Sequence, residues 1–158
     1  MVMQSTSQTP AWAIASEIEL IYKSKVKASE RPKILTSVDA YNVLIQTWEE
    51  GKVDFVEQFK VLFLSRSNSV LAIYQLSTGG ITGTVADPRL IFAAALKLNA
   101  VGIIISHNHP SGNLTPSRPD KELTDKIKQA GNFLDIPVLD HIIISSEGYY
   151  SFADKGLL

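Results

Sequence analysis

The spacing of apolar residues predicts five strands after residue 58. They are expected at 59–65, 70–77, 101–106, 138–145 and 149–152. The first two flank the polar segment Arg66-Ser67-Asn68, which predicts a β-hairpin with a short turn. The run at 101–106 is almost continuously apolar, as is typical of a central strand covered on both faces. The strands therefore predict a sheet with a buried middle.

Three helices are predicted around these strands, at about 38–51, 88–98 and 119–133. Ser37 is the expected N-cap of the first. Asp87 as a cap, with Pro88 at the first helical position, predicts the start of the second. Because strands and helices alternate after the initial hairpin, we expect an α/β fold in which helices cover both faces of a mixed β-sheet.

The segments outside these elements carry two further predictions. Residues 1–12 are polar, and we expect a disordered tail. Residues 13–34 are expected to form an arm with a strand, since apolar and charged residues alternate through its centre. Three lysines, Lys23, Lys25 and Lys27, would share one face of it. We interpret them as charges that guard an edge strand, and the alternative is a small anion-binding strip. Residues 78–83 hold three glycines and predict a loop.

Composition narrows the classes of function. The chain has 158 residues, no cysteine and a formal charge of −1. The lack of cysteine excludes disulfides, Cys-ligated zinc, iron–sulfur clusters and a thiol nucleophile. The near-neutral balance argues against binding nucleic acid by bulk charge. No apolar run approaches the roughly 20 residues of a membrane helix, and the polar start is unlike a signal peptide. We therefore expect a cytoplasmic protein.

The segment that follows the predicted central strand carries candidate metal ligands. His107 and His109 are two residues apart on an extended stretch, so their side chains point the same way. Asp120 lies at the start of the next helix, and the intervening loop can return its carboxylate to the histidines. Two histidines and one carboxylate make an open site with a position left for water. Alternatively, Ser117 and Asp120 form only a helix capping box.

Other polar residues near strand ends have less specific patterns. A metal-dependent hydrolase also needs a carboxylate for proton transfer, and Glu57, Asp87 and Asp140 are available. Position alone favours a solvated loop residue for Glu57. Asp140 and His141 at the start of a strand are most simply a polar pair bonded inside the fold. The alternative for His141 is support of a metal ligand.

Several separated motifs resemble one family. The pattern His107-x-His109-x7-Ser117-x2-Asp120 matches the JAMM metalloprotease signature of the JAB/MPN fold. The surrounding residues resemble its RadC-like branch. The shared motifs are Glu57-x-Phe-x-Val-Leu62, Pro88-Arg89, Ser106-His-Asn-His-Pro-Ser-Gly112 and Asp140-His-Ile-Ile-Ile144. They occur in the family's order and assign residues 35–158 to a RadC-like JAB/MPN catalytic domain.

The resemblance implies a three-layer, cytidine-deaminase-like architecture and a zinc-dependent metallohydrolase, a peptidase or isopeptidase. It assigns the Zn²⁺ ligands to His107, His109 and Asp120. It also implies that Glu57 is the general base acting on a zinc-bound water, and that Ser117 donates to the developing oxyanion. The implied partner is a peptide or protein substrate.

Other functions fit the sequence less well. A non-catalytic or DNA-associated RadC-like module, linked to repair or mobile elements, is the main alternative. The intact ligand set favours the enzyme. DNA contact is not supported by the charge, and residues 13–34 do not resemble the helix-hairpin-helix segment that the family usually carries. A zinc deaminase needs Pro-Cys-x-x-Cys, which a chain without cysteine cannot supply.

Overall fold

A mixed five-stranded sheet forms the centre of the part of the chain described by the computed structural model, residues 23–79 and 85–158. The strands are β1 (Gln58–Leu64), β2 (Val70–Thr78), β3 (Gly102–Asn108), β4 (Val138–Ser145) and β5 (Gly148–Ser151). Their order is β2-β1-β3-β4-β5. Only the pair β3–β4 is parallel, and the other neighbours are antiparallel. Each predicted strand is confirmed to within two residues at either end.

Helices lie on both faces of this sheet, as predicted. They are α1 (Ser37–Gln46), α2 (Pro88–Lys97) and α3 (Arg118–Phe133). On one face, Ala40 and Leu44 of α1 pack with Leu62 and Ile104 of the sheet. On the other face, α2 and α3 cover a second cluster that includes Phe59 and Ile105. The strand β3 is buried along its whole length because helices cover both of its faces.

The N-cap of the first helix lies one residue earlier than predicted. Thr36, not Ser37, is the N-cap of α1, because its hydroxyl accepts the Asp39 N–H at 3.2 Å and the Asp39 carboxylate accepts the Thr36 N–H at 2.9 Å. Ser37 instead donates its hydroxyl to Asp154 at 2.6 Å. The predicted cap of α2 is confirmed, since Asp87 accepts the Arg89 N–H at 2.9 Å.

The lysines of the predicted arm are not on a strand. Residues 23–27 are irregular and exposed, and a 3₁₀ turn follows at Ala28–Glu30. Ser24 bends the chain there, because its hydroxyl donates to the Val26 carbonyl at 2.8 Å. The tail at 1–12, the start of the arm at 13–22 and most of the glycine-rich loop, 80–84, lie outside the described residues.

The order of the elements brings the end of β3 next to the start of α3. The chain leaves β3 at Asn108, turns through residues 109–117 and enters α3 directly. β1 lies beside β3 in antiparallel register, with Phe59 opposite His107. The end of β3, the segment before β1 and the N-terminus of α3 therefore lie together at one end of the central strands. None of the helices in the two described ranges is both long and apolar enough to cross a membrane.

Candidate metal centre

Two histidines at the end of β3 direct their rings to the same point. The Nε2 atoms of His107 and His109 are 2.8 Å apart. His107 is 2% exposed because it lies on the central strand, whereas His109 follows the strand and is 16% exposed. The alternation of side chains along an extended segment places residues i and i+2 on one face, as the sequence predicted.

Asp120 adds a carboxylate to this pair from the first turn of α3. Its Oδ1 lies 3.2 Å from His107 Nε2 and its Oδ2 lies 3.5 Å from His109 Nε2. One ligand atom from each of the three residues lies within 4.8 Å of the others, so this group could hold a metal ion. Among the described residues it is the one such group of histidine and carboxylate side chains.

The capping alternative for Asp120 is also correct, and it does not compete with the metal ligand. Ser117 is the N-cap of α3: its Oγ accepts the Asp120 N–H at 3.2 Å, and Asp120 Oδ2 accepts the Ser117 N–H at 2.7 Å. The capping box therefore uses Oδ2 and leaves Oδ1 facing His107. The cap orients the carboxylate as well as starting the helix.

The hydrogen bonds behind His107 fix which of its ring nitrogens carries the proton. Thr124 donates its hydroxyl to the Asp120 carbonyl at 2.6 Å, so its oxygen accepts from His141 Nδ1, also at 2.6 Å. Burial holds the pKa of His141 well below its usual range, and the ring is neutral. His141 Nε2 therefore accepts from His107 Nδ1 at 2.8 Å. His107 Nε2 is left with a lone pair directed at the cluster.

His109 is set in the same tautomer by a simpler contact. Its Nδ1 lies 2.5 Å from the backbone carbonyl of Asn113. A carbonyl oxygen only accepts, so Nδ1 carries the proton and the neutral ring has its lone pair on Nε2. Gly112, at φ +80°, bends the loop so that this carbonyl reaches back to the ring.

With both rings neutral, the cluster offers two imidazole lone pairs and one carboxylate to a metal ion; without an ion, a hydrogen on Nε2 can bridge the rings to Asp120 instead. Burial alone would raise the pKa of Asp120, but hydrogen bonds from His107, His109 and Ser117 outweigh it and hold the pKa well below its usual range. The hydrogen bond to Asp120 in turn raises the pKa of His109, against the effect of burial. A metal ion in place of the Nε2 hydrogens could bind all three groups together.

Replacing His141 by phenylalanine tests the support behind His107. The variant loses the acceptor for His107 Nδ1–H but retains the stacking against Phe152, whose ring centroid lies 4.6 Å away. We expect zinc affinity to fall about 10–100-fold, because the partner of a ligating histidine orients it and raises its basicity. Competition with a fluorescent chelator measures this, with Ser106→Ala as a buried control on β3; equal affinities in all three proteins would contradict the assignment.

Glu57 lies on the segment that enters β1 and is half-buried. The β1–β3 register ends with Phe59 opposite His107, and the alternation of side chains puts Glu57, two residues earlier, on the side of the sheet that Phe59 and His107 share. The charge of Glu57 is among the causes that raise the pKa of His109, after the hydrogen bond that His109 donates to Asp120. β1 lies beside β3, and the catalytic role of Glu57 stays a prediction.

Asp140 and His141 have different partners although they are adjacent. The Asp140 carboxylate accepts hydrogen bonds from its neighbour His141 N–H, from Ala153 N–H and from the Ser151 hydroxyl. It ties β4 to the chain after β5, and burial raises its pKa. For His141, the interpretation as a residue bonded inside the fold is confirmed, and its bond to His107 is the contact through which it would support a metal ligand.

The sequence patterns did not indicate three residues that contribute to the site or lie next to it. Thr124 is the second residue of the chain behind His107, the backbone of Asn113 holds His109, and Asn108 is buried beside them. The threonine lies four residues after Asp120 on α3, so helical spacing was the available signal for it.

The comparisons with known proteins agree with this arrangement. Residues 34–157 match the model of the RadC-like JAB domain. A UPF0758 protein of Flavobacterium johnsoniae is 49% identical over 125 residues, which are 79% of this chain and 53% of that protein. The UPF0758 protein YkfG of Escherichia coli is 45% identical over 102 residues, 65% of each chain. One from Chlorobium chlorochromatii is 34% identical over 99% of this chain and 69% of its own length.

The chain therefore spans about half to two thirds of the length of these curated relatives, whose names state no activity. The matched region contains each of the ligand candidates and the whole sheet. With a mixed sheet, helices on both faces and this cluster at the end of the central strand, the chain belongs to the RadC-like JAB domain family.

Proposed function

We propose that this domain is a zinc-dependent metallohydrolase that cleaves amide bonds, as a peptidase or isopeptidase. The observation that carries the proposal is the convergence of two imidazole Nε2 atoms, whose Nδ1 atoms are bonded outside the cluster, and one carboxylate oxygen within 4.8 Å. Two histidines and one carboxylate are a ligand set of catalytic zinc sites, which leave a position open. The partial exposure of His109 and Asp120 gives that position access to solvent and substrate.

Each residue of the site has a distinct part in this proposal. Zinc held by His107, His109 and Asp120 would act as a Lewis acid toward a carbonyl and lower the pKa of water. Glu57, on the same face as the histidines, takes the proton from the attacking water and returns it to the leaving amine nitrogen. The chain from His107 through His141 to Thr124 holds the first ligand in one orientation during these transfers.

Ser117 has a hydrogen left to donate. Its Oγ accepts the Asp120 N–H in the capping box, and its hydroxyl hydrogen can turn from the Asp120 carboxylate to another acceptor. Ser117 is exposed at the N-terminus of α3, where the helix dipole also favours negative charge. We propose that the Ser117 hydroxyl donates a hydrogen bond to the substrate oxygen on which negative charge develops.

The experiment is a cleavage screen with zinc-loaded protein. It is incubated with an unbiased peptide library, and the products are identified by mass spectrometry. His107→Ala is the control, because a trace protease in the preparation would survive that substitution. Cleavage at a defined bond by the wild-type protein and not by the variant supports the proposal; identical product patterns from both proteins would refute it.

The DNA-associated alternative makes a different prediction. We expect only weak DNA binding at physiological salt, because the formal charge is −1 and there is little counterion release to drive association. The exposed Lys23, Lys25 and Lys27 could make three phosphate contacts, each contributing a salt slope of about −0.9. Fluorescence anisotropy with duplex and single-stranded DNA tests this. Submicromolar binding with a steep salt slope, lost when the three lysines are changed to serine, would favour the alternative.

A further inference from the structure

The residue between the two histidines, Asn108, faces the opposite side of β3 and makes three hydrogen bonds there. Its Oδ1 accepts the Gln58 N–H at 2.7 Å. Its Nδ2 donates to the carbonyls of Val53 at 2.7 Å and Val56 at 2.8 Å. The side chain is completely buried. Both polar atoms of the amide are therefore used, and the partners are two residues of the segment before β1 and Gln58, the first residue of β1.

Two of these partners flank Glu57. The Val56 carbonyl belongs to the peptide group before Glu57, and the Gln58 N–H belongs to the peptide group after it. A single side chain thus fixes both peptide planes on which the backbone conformation of Glu57 depends. The remaining backbone carbonyl of Glu57 accepts the Gly79 N–H at 2.8 Å. The direction in which the Glu57 side chain leaves the backbone is set by these contacts.

We propose that Asn108 is a positioning residue, which holds the backbone of Glu57 so that its carboxylate faces the cluster formed by His107, His109 and Asp120. The inference rests on the proposed function, because it assigns a role to the residue that positions the proposed general base. The alternation of β3 explains the arrangement: residues 107 and 109 face the metal site while residue 108 faces the backbone that carries the base.

Asparagine has the chemistry that this position requires. One acceptor must meet the Gln58 N–H, and two donor hydrogens must meet the carbonyls of Val53 and Val56. Aspartate keeps the acceptor but places a second carboxylate oxygen against two carbonyls. Alanine leaves three buried backbone groups without this partner. The side-chain contacts span 50 to 55 residues in sequence, so they join the β1 entry to the end of β3.

The test compares Asn108→Ala and Asn108→Asp with Ser106→Ala. Ser106 lies on the same face of β3 and is equally buried, but its hydroxyl donates to the Ile142 carbonyl of β4 at 2.7 Å. It therefore controls for the loss of a buried side-chain hydrogen bond that does not reach the Glu57 segment. All three variants are expected to keep zinc, because none removes a ligand.

The first measurement is amide hydrogen exchange, which needs no substrate and can begin with the wild-type protein. In the wild-type protein, we expect the Gln58 amide proton and the Asn108 side-chain amide protons to exchange at least about 100-fold more slowly than in an unfolded chain. The Gln58 proton should lose that protection in Asn108→Ala, which has no acceptor for it, and keep it in Ser106→Ala. Exchange at the unfolded rate in the wild-type protein would overturn the inference even if neither Asn108 variant folds.

The second measurement reports the position of Glu57 relative to the metal. In protein loaded with cobalt(II), the paramagnetic shift of the Glu57 carboxyl carbon depends on its distance and direction from the ion. Glu57→Gln identifies the signal. We expect the shift to change in the Asn108 variants and to be preserved in Ser106→Ala. An unchanged shift in a folded Asn108 variant would contradict the positioning role.

The third measurement uses hydrolysis. If the screen identifies a peptide substrate, kcat should fall about 100-fold in Asn108→Ala, since a displacement of about 1 Å at a reacting group costs that much. KM should change little. In combination with Glu57→Gln, the Asn108 substitution should cause no more than about a twofold further loss, because the two act through one group. Fully additive losses would overturn the inference. If no peptide is cleaved, the proposed function fails. Hydrogen exchange at Gln58 and the paramagnetic shift of the Glu57 carboxyl carbon then still test whether Asn108 positions Glu57.

Discussion

Replacing His109 by alanine is expected to remove stoichiometric zinc from the protein. The variant loses one of the three proposed ligands, whose Nε2 lies 2.8 Å from His107 Nε2 and 3.5 Å from the Asp120 carboxylate. The loss of affinity should exceed the about 10–100-fold caused by removing a supporting hydrogen bond. Elemental analysis after dialysis against a weak chelator measures it.

The control for this substitution is Ser111→Ala in the same loop. The Ser111 hydroxyl accepts the Asn113 N–H at 3.3 Å and makes no contact with the ligand cluster. It should retain zinc like the wild-type protein. Stoichiometric zinc in purified His109→Ala would show that the ligand assignment is wrong.

Replacing Glu57 by glutamine is expected to abolish most hydrolysis while leaving zinc and the fold in place. Glutamine has the same shape but cannot take a proton from water at neutral pH, and a positioned general base contributes about 10²–10⁴-fold to a rate. The expected result is therefore a loss of kcat of that size with an unchanged metal content. Glu49→Gln, at an exposed ion pair with Lys52, is the matched control.

An alternative role for Glu57 gives another result. If it were a metal ligand, Glu57→Gln would lose zinc together with activity. If it were only a solvated loop residue, the variant would hydrolyse the substrate at the wild-type rate. Either outcome would remove Glu57 from the proposed mechanism, whereas the Asn108 contacts to its backbone would be unaffected.

Much of the fold could be predicted because its elements carry local signals. The strand β4 was predicted with the bounds that it has, since its apolar run is bounded by Pro137 and by the turn before Gly148. The cap at Asp87 followed from the Asp-Pro pair. The pair His107 and His109 could be placed on one face from strand geometry alone.

The rest depended on contacts between residues far apart in sequence. Ser37 was an equally plausible cap until Asp154, 117 residues away, took its hydroxyl. The strand predicted at Lys23 and Lys25 is absent because the Ser24 hydroxyl bonds to the backbone and bends it. The alternation of apolar and charged residues, on which the prediction rested, does not reveal such a side-chain hydrogen bond. His141 reaches His107 across 34 residues. In the sequence, Asn108 is recognisable only as the residue between two histidines. The role proposed for it depends on the pairing of β1 with β3, which the sequence does not show.

The measurement that tests the central claim most directly is X-ray diffraction from zinc-soaked crystals on both sides of the zinc absorption edge. The account predicts one anomalous peak per chain, in contact with His107 Nε2, His109 Nε2 and the Asp120 carboxylate. The peak should be absent in crystals of His109→Ala. An empty cluster in the wild-type protein, with zinc bound only at other residues, would contradict the assignment of a zinc site and the hydrolase built on it.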